Sequence, residues 1–206
     1  MEKITISDIT KRFADKTVLD RFSLEIEKGS VFCLMGASGC GKTTLIRILT
    51  GLEKADEGEV KGIDLNRISF VFQEDRLIDH LSALSNAILP LKSDAASKKA
   101  GMEALALLGL KGEEKKRAGK LSGGMARRVS IARAMLAQAD IIFMDEPFKG
   151  LDKDTKEKTI AFVKKYAEGK TLIVVTHSAS EADLLGGKIF KMPYANGDFD
   201  KKSENM

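Results

Sequence analysis

A glycine-rich segment at residues 36–43 constrains this chain more than any other feature of its sequence. It reads Gly-Ala-Ser-Gly-Cys-Gly-Lys-Thr, which has the glycine, lysine and threonine spacing of a phosphate-binding P-loop. An apolar run at Val31–Met35 precedes it, and a helix-like pattern at residues 42–50 follows it. Glycines let the backbone curl so that successive N–H groups point inward, and a helix N-terminus adds partial positive charge there. The segment therefore predicts a nucleotide-phosphate site between a strand and a helix.

The residues of this segment have different expected roles toward a nucleotide and its magnesium ion. The backbone amides cradle the phosphates, Lys42 reaches the β- and γ-phosphates, and the Thr43 hydroxyl holds Mg²⁺. We expect contacts to the nucleotide from Gly36, Ala37, Ser38, Gly39, Cys40, Gly41, Lys42, Thr43 and Thr44.

A second apolar run, at residues 141–144, ends in two adjacent carboxylates, Asp145 and Glu146. In an open α/β sheet the ligand lies outside the carboxyl ends of the strands, so both acids are expected to face the phosphate site. Asp145 is the natural oxygen ligand for Mg²⁺, directly or through water. Glu146 can accept a proton from the water that attacks the γ-phosphate. Acids also end strands for purely structural reasons, and the neighbouring P-loop is what favours the catalytic interpretation.

The apolar pattern predicts an α/β fold with a mostly parallel sheet that has helices on both faces, and the P-loop motif identifies this sheet as a P-loop NTPase core. Strand-like runs lie at residues 3–9, 23–26, 31–35, 68–72, 141–144, 171–176 and 188–192. Helix-like patterns lie at residues 42–50, 123–136, 153–168 and 180–185. Short polar turns, such as residues 14–16, join the first strands, which are predicted to form a separate N-terminal antiparallel flank.

The middle third of the chain has a different pattern, because residues 81–120 are helix-like without a strand-like run. One face of this stretch is expected to carry Ala104, Leu105, Leu107 and Leu108, with many lysines opposite. We predict a single ATPase domain over residues 1–194 with a helical subdomain inserted at about 81–120. The polar residues 195–206 are predicted to be a flexible tail.

Composition and charge argue against several classes of protein. The apolar runs are strand-sized, well short of the ~18 residues of a membrane span, and the N-terminus has no apolar signal segment, so we expect a cytoplasmic protein. Cys33 and Cys40 are expected to be free thiols. The net charge of +4 is slight, and no nucleic-acid partner is expected. The basic residues at 115–120 are better explained as a solvated helix end than as a contact to lipid or nucleic acid.

The segment Leu-Ser-Gly-Gly-Met at residues 121–125 resembles the signature motif of ABC ATPases, and residues 126–134 resemble the signature helix of that family. Ser122, Gly123 and Gly124 lie at a predicted helix N-terminus, so their amides can bind an anion. In the family that anion is the γ-phosphate held by the other subunit. The resemblance therefore implies a head-to-tail homodimer that encloses two ATP molecules.

Four further positions match motifs of the family, in the expected order along the chain. Gln73 resembles the Q-loop glutamine that contacts Mg²⁺ and water, and Asp152 resembles the D-loop residue at the dimer interface. His177 resembles the switch histidine that contacts the γ-phosphate, and Phe13 lies where the family stacks an aromatic ring on adenine. Taken singly, Gln73 would more often lie in a solvated turn and Phe13 in the core, while His177 could equally be a capping or core histidine. The resemblance assigns catalytic roles to Glu146, His177 and Gln73, and magnesium binding to Thr43, Gln73 and Asp145.

Residues 71–77 and 145–148 most resemble importer-type subunits, with the nitrate, sulfonate and taurine group the closest. This resemblance implies transmembrane permease subunits and a solute-binding protein as partners, and a peripheral location on the inner face of the cell membrane. Three features depart from the family pattern. Met125 replaces a glutamine, and Lys149-Gly150 replaces the commoner Ser-Ala. The stretch after residue 192 is too short for the regulatory domain of some sugar importers.

Several other functions stay open at this point. An efflux or lipoprotein-release ATPase of the same family would carry the same motifs. ABC ATPases of DNA repair and chromosome organisation carry long coiled-coil insertions between P-loop and signature, where this chain has only residues 44–120, and translation-linked ones usually have two cassettes in one chain. A small-molecule kinase on a P-loop scaffold would lack the Leu-Ser-Gly-Gly segment.

Overall fold

The strands divide into two sheets in the computed structural model, which describes residues 2–14 and 16–193. An antiparallel sheet has the order β2-β1-β4. Its strands are β1 (Lys3–Phe13), β2 (Lys16–Glu27) and β4 (Glu57–Lys61). A parallel sheet has the order β5-β6-β7-β3-β8. Its strands are β3 (Val31–Met35), β5 (Ile68–Val71), β6 (Ile141–Asp145), β7 (Thr171–Val175) and β8 (Lys188–Lys191).

The neighbouring strands β6 and β7 are buried along their whole length. Their sequences are continuous apolar runs, as parallel strands covered on both faces require. Successive side chains point to opposite faces, so Phe143 packs into an apolar layer with the antiparallel sheet and the helix after the P-loop. Met144 packs into a second layer with the other helices. The predicted α/β class with its antiparallel N-terminal flank is confirmed.

Six α-helices lie in the described part of the chain, and most begin at a side-chain cap. They are α1 (Lys42–Leu49), α2 (Ala83–Ala87), α3 (Ala95–Leu107), α4 (Gly123–Leu136), α5 (Lys153–Tyr166) and α6 (Ala179–Leu185). A serine or aspartate side chain accepts an amide hydrogen bond at the start of α2 to α6. Of these six helices only α1 lacks a side-chain cap, because the residue at its N-cap position is a glycine, Gly41. The first amides of α1 therefore point toward the space in front of the P-loop.

One strand was not predicted, because its sequence carries no apolar alternation. β4 reads Glu-Gly-Glu-Val-Lys and is mostly exposed. It is held by backbone pairing with β1, in which Ile6 lies opposite Val60. Gly58 is required there, since its φ is 89° and a Cβ would approach the Ser7 carbonyl oxygen to 2.4 Å.

The predicted apolar face of α3 was wrong at one residue. Ala104, Leu105 and Leu108 are buried, whereas Leu107 is 49% exposed. Successive helical residues are turned by about 100°, which places Leu107 about 60° beyond Ala104 on the side away from Leu105. Four apolar residues within five positions are therefore too widely spread to share one buried face.

The segment predicted as an inserted subdomain is helical in the structure. It contains α2, α3 and a 3-10 turn at Ala118–Lys120, and α4 packs against both helices. Its status as a subdomain, and the domain limits 1–194, stay predictions. The predicted tail at residues 195–206 lies outside the described residues, as does Asp15 of the predicted turn. Among the described helices, none has the length and apolar character needed to cross a membrane.

Leu105→Ala should lower the free energy of unfolding by about 2–5 kcal/mol, because it removes a fully buried side chain and leaves a cavity. Leu107→Ala is the matched control on the same helix, and its effect should stay within about 0.5 kcal/mol. Urea unfolding followed by circular dichroism measures both. Equal losses for the two variants would contradict the observed orientation of α3.

Candidate functional site

The carboxyl ends of β6, β7 and β3 lie side by side, and a cavity of about 410 Å³ opens beside them. Six P-loop residues line this cavity: Ser38, Gly39, Gly41, Lys42, Thr43 and Thr44. Gln73, Glu146 and His177 also line it. Residues from four separate stretches of the chain, which were predicted either to bind nucleotide or to act in its hydrolysis, are therefore brought together by the parallel sheet.

The lysine of the P-loop forms hydrogen bonds with backbone carbonyls of the same loop. The Lys42 ammonium donates to the carbonyl oxygens of Gly36 at 2.8 Å and Ala37 at 2.7 Å, and Lys42 is 6% exposed. Gly41 has a φ of 101°, and a Cβ on it would lie 3.0 Å from the Val18 carbonyl oxygen. Glycine is thus needed at this position both for its backbone angle and for its close approach to β2.

Two oxygen donors from different elements meet beside the P-loop. The Thr43 hydroxyl donates to Asp145 Oδ2 at 3.0 Å, and Asp145 is 3% exposed. Burial raises the pKa of the Asp145 carboxyl, and the bond from Thr43 opposes that effect. Both residues, together with Gln73, line an adjoining groove of about 560 Å³. A hydroxyl, an amide and a desolvated carboxylate are donors that suit Mg²⁺, so the residues present fit this ion.

Glu146 is held by its backbone and by two basic side chains. Its φ of 47° is unusual for a residue with a side chain, and its N–H donates to the Val175 carbonyl at 3.0 Å. The Lys149 ammonium lies 2.9 Å from Oε2, and His177 Nε2 lies 3.1 Å from Oε1. The Lys149 contact holds the pKa of the Glu146 carboxyl below its usual range, and His177 acts in the same direction. An ionised carboxylate in this position can accept a proton.

Lys149 was identified in the sequence only as a departure from the family pattern. The structure places it on the cavity wall, in contact with a predicted catalytic residue. The sequence signal for this contact was the spacing of three residues between Glu146 and Lys149, across the turn that begins at Pro147. A turn of this length can return a long side chain to the carboxylate.

Apart from the P-loop residues Gly36, Ala37 and Cys40 and the groove residue Asp145, five predicted residues lie outside the cavity lining in the described part of the chain. Ser122, Gly123 and Gly124 form the start of α4, where Ser122 Oγ accepts the Met125 amide at 3.4 Å. Asp152 caps α5 by accepting the Thr155 amide at 3.0 Å. Phe13 is 45% exposed, with the Lys11 ammonium 5.1 Å from its ring centroid.

The unusual methionine of the signature has a packing role. Met125 is partly buried and packs against the apolar layer on the α4 side of the sheet. Its amide still bonds the Ser122 cap, so replacing the usual glutamine leaves the backbone at the start of α4 in its helical arrangement.

Comparison with known proteins gives a consistent result. Residues 19–149 match the family described as ABC transporter. The aliphatic sulfonates import ATP-binding protein SsuB 1 of Nocardia farcinica is 38% identical over 188 residues, which cover 90% of this chain and 76% of that protein. The spermidine/putrescine import ATP-binding protein PotA of Protochlamydia amoebophila is 36% identical over 204 residues. That match covers 92% of this chain but 55% of PotA, so the chain spans little more than half of that relative.

A solved structure supports the same relationship. The dimeric structure of an ATP-binding cassette in a post-hydrolysis state, bound to ADP and Pi, superposes with a TM-score of 0.81 at 33% identity. The match covers 92% of this chain and 94% of that one.

Lys149→Met should raise the pKa of the Glu146 carboxyl, because the variant loses the ammonium that favours the ionised form. Carbon-13 NMR of the Glu146 carboxyl across a pH titration of the nucleotide-free protein measures this directly. Lys158→Met changes an exposed lysine of α5 that does not line the cavity, and should leave the titration unchanged. The same titration curve in both variants would mean that the Lys149 contact does not exist in solution.

Proposed function

The chain belongs to the ABC transporter family as an ATP-binding and ATP-hydrolysing subunit, and we propose that it couples this hydrolysis to solute import through partner subunits in the membrane. The observation that carries the proposal is a single cavity lined by P-loop residues, Gln73, Glu146 and His177. Its basic, amide and carboxylate groups lie at the carboxyl edge of a parallel sheet, where α/β proteins bind ligands.

We assign phosphate binding to the P-loop. The open amides at the start of α1 and the Lys42 ammonium face phosphate oxygens, which would replace the Gly36 and Ala37 carbonyls as partners of the lysine. Phe13 is assigned to adenine stacking, since its exposed ring lies at the end of β1. Thr43, Asp145 and Gln73 are assigned to magnesium. When bound, the ion neutralises charge on the β- and γ-phosphate oxygens.

Hydrolysis is assigned to Glu146 with His177. The Glu146 carboxylate accepts a proton from the attacking water, and His177, in contact with the same carboxylate, orients it and faces the γ-phosphate. Phosphoryl transfer depends mainly on positioning and electrostatic stabilisation, so no covalent intermediate with the protein is needed.

The signature residues favour a head-to-tail homodimer. Ser122, Gly123 and Gly124 present a helix N-terminus away from the cavity lining of their own chain. A second copy in head-to-tail contact would receive its γ-phosphate there, with Asp152 near the interface. The dimeric cassette that superposes on this chain supports such an assembly.

Import is the direction favoured by the relatives, two of which are named as import ATP-binding proteins. We therefore propose transmembrane permease subunits as partners, with a solute-binding protein delivering the solute. The chain would lie on the inner face of the cell membrane.

The groove beside Gln73, which includes the apolar side chains of Leu52, Phe70 and Phe72, is the proposed contact for the permease. Motion of residues 81–120, as a helical subdomain, would carry the signal.

Lys42→Ala should weaken binding of magnesium ATP by about 10- to 100-fold, since it removes a charge-assisted contact of about 1.5–3 kcal/mol. Isothermal titration calorimetry measures the affinity. Lys98→Ala, at an exposed lysine of α3, is the control and should bind ATP normally. Unchanged affinity in Lys42→Ala would reject the assignment of this P-loop.

Glu146→Gln should hydrolyse ATP about 10²- to 10⁴-fold more slowly while still binding it, because the amide cannot accept the proton from water. The variant should accumulate as a dimer with ATP on size-exclusion chromatography. Glu157→Gln alters an exposed glutamate of α5 and should keep normal turnover. Near-normal phosphate release by Glu146→Gln would exclude Glu146 as the base.

A further inference from the structure

Arg127 of α4 reaches the segment that follows β5 and binds its backbone. Its Nη1 donates to the Phe72 carbonyl at 2.6 Å, and its Nη2 donates to the carbonyl of Gln73. The residues joined in this way are more than fifty positions apart in the sequence. The backbone of the predicted magnesium ligand is thus held by a side chain from the helix that begins at the signature.

A second arginine of the same helix extends this contact. Arg133 Nη2 donates to the Asp75 carbonyl at 3.0 Å, and its Nη1 donates to the Arg76 carbonyl at 2.9 Å. Two guanidinium groups of one helix therefore bind four carbonyls in residues 72–76. We call this set of bonds the carbonyl clamp.

The burial of Arg127 distinguishes it from an ordinary surface arginine. The residue is 8% exposed. Its Nε lies 3.2 Å from Asp75 Oδ1, and this ion pair does not have the geometry of a hydrogen bond. Burying a guanidinium group costs free energy unless its N–H groups form hydrogen bonds. Here the acceptors are backbone carbonyls of residues 72–76. An apolar residue could fill the same space without fixing the positions of the carbonyls. The arrangement therefore specifies where the loop lies.

The Arg127 half of the clamp lies close to the start of α4, whereas Arg133 lies in its last turn. Arg127 is four residues after Gly123, which is about 6 Å along the axis at 1.5 Å per residue. The same α-helix carries the proposed anion site at Ser122 and the clamp on Gln73. Hydrogen bonds of the clamp therefore connect this helix directly to the backbone of residues 72–76.

We propose that Arg127 is a positioning residue for Gln73, and that it links the signature end of α4 to the magnesium side of the cavity in the same chain. This inference rests on the proposed function, in which Gln73 contacts magnesium and the signature contacts the nucleotide of a second copy. Binding of that second nucleotide at Ser122 then alters the position of Gln73 in the first cavity.

Arg128 provides a matched control on the same helix. Its Nε donates to the Gly124 carbonyl at 3.0 Å, and its Nη1 donates to the Leu108 carbonyl at 2.8 Å. Arg128 is thus also an arginine bonded to backbone carbonyls, but both carbonyls lie outside residues 72–76. A general loss of helix packing would affect Arg127→Gln and Arg128→Gln alike, whereas loss of Gln73 positioning would affect only the former.

The test compares full-length Arg127→Gln, Arg128→Gln and Gln73→Ala. Binding of a fluorescent ATP analogue is titrated with Mg²⁺ and steady-state ATPase kinetics are measured. We expect Gln73→Ala and Arg127→Gln to need about 10-fold more Mg²⁺ for tight nucleotide binding and to lose about 10-fold or more in kcat, because the groups that orient a metal ligand typically contribute this much. Binding without Mg²⁺, which depends on the P-loop, should change little. Arg128→Gln should keep the normal Mg²⁺ requirement.

Arg127→Lys is the second variant, in case Arg127→Gln fails to fold. It keeps the charge beside Asp75 but cannot bond two carbonyls with a planar fork, so an intermediate Mg²⁺ requirement is expected. A normal requirement in a folded Arg127→Lys or Arg127→Gln overturns the inference.

A double-mutant cycle completes the experiment. If Arg127 acts through Gln73, Arg127→Gln should add little on a Gln73→Ala background, and full additivity overturns the inference. If Gln73→Ala needs more Mg²⁺ for tight nucleotide binding and Arg127→Gln does not, only the role of Arg127 is refuted. A normal requirement in Gln73→Ala refutes the proposed magnesium role of Gln73, and the inference falls with it.

Discussion

Complete burial of β6 and β7 between two apolar layers is the constraint on which the rest of the structure depends. No ionised side chain can lie along these strands without a large desolvation cost, so the polar groups are placed where the strands end. Asp145 is the last residue of β6, and His177 follows the end of β7 by two residues. The P-loop starts where β3, the next strand of the sheet, ends. The predicted functional groups thus lie at the carboxyl ends of these strands because the buried core ends there.

The charged groups of the cavity form bonds with one another and with the P-loop backbone, and a triphosphate can replace some of these bonds. Lys42 donates to carbonyls of its own loop, while Glu146 is shared between Lys149 and His177. Phosphate oxygens are stronger partners for ammonium groups than neutral carbonyls are. Ligand binding would therefore exchange weaker bonds for stronger ones instead of desolvating free charges. This arrangement explains how a cavity with several basic groups keeps a defined shape.

The sequence was sufficient for the parts of the fold that follow from periodic patterns, and insufficient for single contacts between distant segments. Every predicted strand and helix was found, and α4 begins and ends where its pattern does. β4 was missed because backbone pairing holds it and its side chains carry no pattern. Motif order predicted that Gln73, Glu146 and His177 would meet, and they line one cavity. The spacing of three residues from Glu146 was a sequence signal for the contact of Lys149. The contacts of Arg127 could not be predicted, because a lone basic residue does not reveal which distant carbonyls it will reach.

The composition of α4 follows from its position between these parts. Val129, Ile131 and Met135 pack into the apolar layer, so the helix is anchored to the sheet along its length. Its arginines then bind backbone carbonyls on either side, some in residues 72–76 and one at the end of α3. A backbone carbonyl oxygen cannot move independently of its chain segment. A shift of α4 therefore either breaks these bonds or moves the bound segments together with the helix. Breaking the bonds of Arg127 would leave its buried donors unpaired at a cost of about 1–3 kcal/mol for each group. Movement of α4 together with its bound segments is therefore the less costly response to a force applied at Ser122.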